Sequence, residues 1–68
     1  MRQEYEKFIR LSEVIKRTGI SRSSIYRLVK KNNFPAPVRI SEKTIAFIER
    51  EVNDWIGNLI NSSRNKAE

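Results

Sequence analysis

Sixty-eight residues, 38% of them hydrophobic, make one small domain with a modest core. Fourteen Lys and Arg against eight Asp and Glu leave a formal excess of +6, which favours a polyanionic partner. The chain has no cysteine and no histidine, which excludes disulfides, thiolate metal sites and most zinc or acid–base chemistry, so no metal or cofactor is expected.

The first ten residues, MRQEYEKFIR, lack the apolar region of a signal peptide. No apolar run approaches the roughly 20 residues that a membrane span needs. The expectation is a cytoplasmic protein that does not engage a membrane. Residues 1–7 read as a flexible arm, 8–60 as the folded domain and 61–68 as a disordered tail. Phe8–Arg10 read as an extended approach to the first helix.

Leu11, Val14, Ile15 and Thr18 recur at i, i+3, i+4 and i+7, one face of a short helix. Ser12 suits its N-cap and Glu13 its first turn; Lys16 and Arg17 suit its last turn. Gly19 is placed to stop it in the left-handed conformation. Ser21 is a good N-cap for a second helix from about Arg22 to Lys31. Ile25, Leu28 and Val29 share the inner face of that helix. Arg22, Ser23, Tyr26, Arg27 and Lys30 share the outer one.

Two short helices joined by a glycine-bearing turn are a helix-turn-helix, whose second helix enters the DNA major groove. An ordinary helical hairpin with a solvated basic face is the plainer alternative. Charge weighs against it. Residues 16–31 hold six basic side chains and no acidic one, while the remaining eight basic and eight acidic residues cancel. A solvated face usually mixes signs. Arg22, Ser23, Tyr26 and Arg27 are therefore expected at base edges, and Arg17, Lys30 and Lys31 on phosphates. Lys16 and Arg17 equally suit the dipole of their own helix.

Asn32 can take the place of glycine at the end of the second helix. In Phe34-Pro35-Ala36-Pro37 each residue before proline is pushed to extended angles, and Phe34 is expected to fold onto the core. Val38-Arg39-Ile40 and Ile45-Ala46-Phe47 alternate with period two around Ser41–Thr44, which predicts a hairpin. Val38, Ile40, Ile45 and Phe47 would face inward, Arg39 and Ala46 outward. As a wing, the hairpin would bring Arg39 and Lys43 to phosphates. Val52, Trp55, Ile56, Leu59 and Ile60 then recur at helical spacing, predicting a third helix that begins at Glu49 or Arg50. Gly57 falls on its outer side. The expected fold is mainly α with a small β-hairpin, a winged helix-turn-helix. Its expected core holds Trp55, Ile25, Leu28, Ile15 and Phe47; Ile9, Ile48 and Ile60 are left over for contact with a second copy.

The runs FIRLSEV (8–14), TGISRSSIYR (18–27), FPAPVRI (34–40) and EVNDWI (51–56), in this order and spacing, resemble the AlpA family of small phage and prophage regulators. The resemblance covers about residues 8–57. It implies a winged helix-turn-helix related to MerR-type domains and phage excisionases. It also implies DNA binding that activates a promoter, often that of an integrase, or directs excision. Integrase or RNA polymerase would then be protein partners, and a homodimer or a cooperative array on DNA the assembly. Phe47 stands where such proteins often carry tryptophan. Ile15 stands where most helix-turn-helix units carry a small residue, which implies a more open angle between the helices.

Two rivals stand beside a sequence-specific binder of double-stranded DNA. An excisionase uses the same scaffold. A protein-binding adaptor would dock the basic helix on an acidic partner. An enzyme is not expected, because Ser21, Ser23 and Ser24 have Lys16 and Arg17 nearby but no general acid–base pair.

Overall fold

The computed structural model describes residues 6–65. In chain order they form β1 (Phe8–Ile9), α1 (Leu11–Thr18), α2 (Arg22–Lys30), β2 (Val38–Ser41), β3 (Thr44–Ile48) and α3 (Glu49–Asn65). Three helices and a small antiparallel sheet make the winged helix-turn-helix that the pattern predicts. Of the expected arm and tail, residues 1–5 and 66–68 lie outside the described residues. Residues 61–65, expected as part of a disordered tail, are helical, because α3 runs on to Asn65. Once a helix is nucleated, each added residue contributes a hydrogen bond, so the weak formers Asn61, Ser62 and Ser63 can follow an anchored stem.

The sheet has the order β1-β3-β2, with β3 central and antiparallel to both neighbours. Phe8 pairs with Ile48 and Ile9 with Phe47, so the two residues of β1 add a third strand to the expected hairpin. On the other side Val38 pairs with Ala46, Arg39 with Ile45 and Ser41 with Thr44. The strands thus continue to Ser41 and Thr44, leaving Glu42-Lys43 as the turn. An irregularity between Arg39 and Ser41 breaks the alternation there. It leaves Ile40 48% exposed rather than buried. Ala46, expected to face out, is fully buried. The register sets Val38 opposite Ala46, so Val38 lies with Ala46 and Ile48 on the face away from Ile45 and Phe47, not with them as expected, and Ala46 is covered on that face.

The core consists of Ile9, Val14, Ile25, Phe34, Phe47 and Val52, one residue from every element but β2 and one from the connector before it. Phe34 folds back as expected and meets Phe47 edge-to-face at 5.9 Å between ring centroids. Ile15, Leu28 and Trp55 are only partly buried against this cluster. Helices of two or three turns have a narrow inward line. In α1 and α2 it passes through Val14 and Ile25, so their neighbours lie at its margin. Trp55 packs one side on Phe34, at 4.7 Å between centroids, and donates its indole N–H to the carbonyl of Asn33 at 2.7 Å. It fastens the connector to α3 rather than filling the centre. The bond meets the need of a half-buried indole for a polar partner.

Local capping follows the sequence closely. Gly19 is left-handed (φ 74°, ψ 10°) and its N–H donates to the carbonyl of Ile15 at 2.7 Å. Ser21 caps α2, its hydroxyl accepting from the Ser24 N–H at 3.3 Å. Asn32 is left-handed at φ 62°. The N–H groups of Asn32 and Asn33 donate to the carbonyls of Val29 and Leu28, the paired bonds of a Schellman stop. Ser12 does not cap α1. Arg10 takes that position with an extended backbone, and its carbonyl accepts from the Glu13 and Val14 N–H groups. Pairing of β1 with β3 holds the chain as far as Ile9, so the helix can start at Leu11.

Gly57 lies in α3 on the outer side, and a Cβ there would meet nothing within 4 Å. Gly57→Ala should therefore stabilise the domain by about 1 kcal/mol, the helix propensity difference. A higher urea midpoint with an unchanged slope is the expected result.

Candidate nucleic-acid interface

The outer face of α2 is built by its two caps and its inner stripe. Ser21 fixes where the helix begins, and burial of Ile25 fixes its rotation. Arg22, Ser23, Tyr26, Arg27 and Lys30 consequently stand in solvent, with Lys31 at the C-cap. Tyr26 is 40% exposed and stands outside the hydrophobic cluster. Among the described residues none of the four cations Arg22, Arg27, Lys30 and Lys31 makes an ion pair. Ser24 is half-buried; its N–H and hydroxyl are bonded to the hydroxyl of Ser21, so it belongs to the cap.

The hairpin tip carries Lys43, exposed, beside Glu42. Arg39 is also exposed, and its guanidinium donates to the carbonyl of Glu42 at 3.3 Å across the turn. That bond stiffens the tip and leaves the rest of the guanidinium in water.

Arg17 departs from its expected place on a phosphate. Its Nε donates to Glu13 at 2.9 Å, one Nη to Glu49 at 3.0 Å and the other to Asn53 at 3.1 Å. All three faces of the guanidinium are engaged, joining α1 to the start of α3. The Glu13 pair follows from i, i+4 spacing; Glu49 and Asn53 come from a distant part of the chain. The hydrogen bond from Arg17 pulls the Glu13 carboxyl below its ordinary value, and the two carboxylates hold the guanidinium charged. A lowered carboxyl contributes stability above its unfolded value and loses it as pH falls through the folded one. Arg17→Met should therefore destabilise the domain at neutral pH. The gap from wild type should narrow below about pH 4, near the ordinary carboxyl value. Thermal melts across that range check it.

A second surface lies elsewhere. The connector 32–36 and one side of α3 enclose an open groove of about 630 Å³, with Phe34, Val38, Ile48 and Trp55 as apolar lining and Glu51 and Asp54 on its rim. No sequence pattern points to it. The i, i+3, i+4 placement of Glu51, Asp54 and Trp55 was visible, but not the connector opposite them.

The family model described as prophage CP4-57 regulatory protein (AlpA) matches residues 7–60. The chain belongs to the AlpA family. The match runs from the residue before β1 to residue 60, so it takes in every element of the winged helix-turn-helix except the last five residues of α3. A relative from Enterobacteria phage P4, named uncharacterized protein ORF88, is 40% identical over 55 residues. That alignment covers 81% of this AlpA-family chain and 62% of the P4 protein, so the chain spans less than two thirds of its relative. No solved structure matches the chain. Among the described residues no helix is long and apolar enough to cross a membrane.

Proposed function

We propose that this AlpA-family phage regulatory protein binds double-stranded DNA sequence-specifically and acts there as a transcriptional regulator in the cytoplasm, with α2 in the major groove. One observation carries the reading: the outer face of α2 holds exposed Arg22, Tyr26, Arg27 and Lys30, with no acidic residue and no ion pair among the described residues. A helix has the width of the major groove, and arginine can grip guanine O6 and N7 with two hydrogen bonds. Arg22, Ser23, Tyr26 and Arg27 are assigned to base edges. Lys30, Lys31, Arg39 and Lys43 are assigned to phosphates, which position without specifying. Arg17 is left out of this set because its partners are internal. No step of this reading is enzymatic, and none requires a metal or cofactor. RNA polymerase is the protein partner for a regulator, integrase for an excision factor on the same scaffold, and two or more copies would share the DNA.

Footprinting on the upstream and attachment DNA of the host element tests this. Protection at a promoter is the expected result. Protection confined to an attachment site would replace regulation by excision. No protection and equal affinity for every duplex at about 0.15 M salt, where exposed charges are screened beyond about 8 Å, would overturn DNA reading by α2. In that case the basic face serves an acidic protein.

A further inference from the structure

We propose that the groove between the connector and α3 docks a partner protein by taking in an arginine set among apolar residues of that partner. This names the chemistry of the protein partner in the reading above. It is measured without DNA, so either can fail alone.

The charge of the groove runs against that of the chain. The whole chain carries +6, yet Glu51 and Asp54 rim the groove and no Lys or Arg lines it. Glu6, Glu13 and Glu49 are each paired with an arginine of the chain. Glu51 and Asp54 have no such partner among the described residues. Arg50, next to Glu51 in sequence, gives its guanidinium to Glu6 instead, at 2.9 Å. The two carboxylates are thus open to a cation from another molecule.

The ring beside them makes arginine the fitting cation. Glu51, Trp55 and Asn58 recur at i, i+4 and i+7 along α3, so a carboxylate, an indole and an amide follow one another on the side that lines the groove. Trp55 is held by Phe34 and by its own bond to the carbonyl of Asn33. A ring already fixed costs little further ordering when a ligand binds. A guanidinium is planar, so it can stack on an indole while its N–H groups reach a carboxylate. Val38 and Ile48 complete the lining and suit the apolar neighbours of such an arginine. A volume of about 630 Å³ suits a few side chains of a short segment.

The alternatives fit less well. Two carboxylates repel phosphate, which disfavours nucleic acid in the groove. A bare metal ion would use the carboxylates and leave the apolar lining idle. A second copy would set the same acidic rim against itself. Of the residues first set aside for a second copy, Ile9 belongs to the core and Ile48 lines this groove.

Trp55 is the sole tryptophan, so its fluorescence reports occupancy of the groove directly. The probe is the peptide acetyl-Val-Arg-Leu-amide, titrated to about 10 mM, beyond the millimolar dissociation constants of weak contacts. Versions with citrulline or lysine in place of arginine are titrated beside it. The arginine peptide should give a saturable change in wild type. The net charge of +6 repels any cationic peptide at long range, so such binding is not general attraction. Citrulline or lysine in the peptide, and Glu51→Gln or Asp54→Asn in the full chain, should each weaken binding by about threefold or more. Asp54 is exposed, so Asp54→Asn decides the test if Glu51→Gln disturbs the first turn of α3. No saturable change in wild type, equal affinity for the citrulline or lysine peptide, or indifference to both substitutions would overturn the proposal.

Discussion

Phe47→Ala should leave much of the domain unfolded at 25 °C. Phe47 lies on the central strand, fully buried, paired with Ile9 and edge-on to Phe34. Its ring therefore touches the N-terminal strand and the connector at once. Phe→Ala in a core costs about 3–5 kcal/mol, the lost transfer energy plus a cavity that neighbours fill only in part. A domain of this length has about 3–10 kcal/mol of total stability. The substitution removes a large share of it, or all of it. Leu28→Ala is the internal comparison. Leu28 sits at the margin of the cluster, partly in water, so its truncation exposes less new surface and should cost less than that of Phe47. Urea titrations followed by circular dichroism give both values. A loss below about 1 kcal/mol for Phe47→Ala, the ordinary effect of an average substitution, would mean the burial is misassigned.

The contrast between Phe47 and Leu28 marks how far the sequence could be read. Periodicity identified the inward faces of all three helices, but gave Leu28, Ile15 and Trp55 the same weight as Ile25 and Phe47. A stripe says which way a helix faces, not how much protein lies opposite. Signals confined to a few neighbouring residues were legible almost atom by atom. Gly19, Ser21 and Asn32 each act on the backbone within five residues of themselves. Contacts across the chain were not. β1 is two residues long and counts as a strand only because Ile48 and Phe47 lie alongside. Ala46 alternates with Phe47 and does lie on the opposite face of β3, but that face, shared with Val38 and Ile48, is covered as well, which alternation alone cannot show. Arg17 looked free because Glu49 and Asn53 are more than 30 positions away. The outer face of α2 was legible for the opposite reason: it depends on helical spacing alone.

Within that face, substitutions should divide into two kinds. Recognition helices commonly meet base edges with their first turns. Arg22 opens α2 and Arg27 lies in the same exposed arc a turn and a half later, with Tyr26 between them. Lys30 is the last helical residue and Lys31 the cap, at the end where a major-groove helix leaves toward the backbone. An ammonium is a compact, flexible charge suited to a phosphate, whereas a guanidinium is a planar fork suited to guanine. Lys30→Ala should therefore weaken binding to every duplex by a similar factor. It should also lower the steepness of log K against log salt by about one, the signature of one lost phosphate contact. Arg22→Ala or Arg27→Ala should instead flatten the preference at one or two base pairs, by about 1–3 kcal/mol for a lost bidentate pair. Neither arginine has an internal partner among the described residues to leave stranded. Both variants should consequently melt within about 0.5 kcal/mol of wild type, as surface substitutions do, so a change in binding is not a change in folding. Competition among single-base variants of the footprinted site, repeated at several salt concentrations, separates the two kinds. If neither arginine variant reorders those competitors while Lys30→Ala behaves as stated, α2 supplies attraction only and the bases are read from another element.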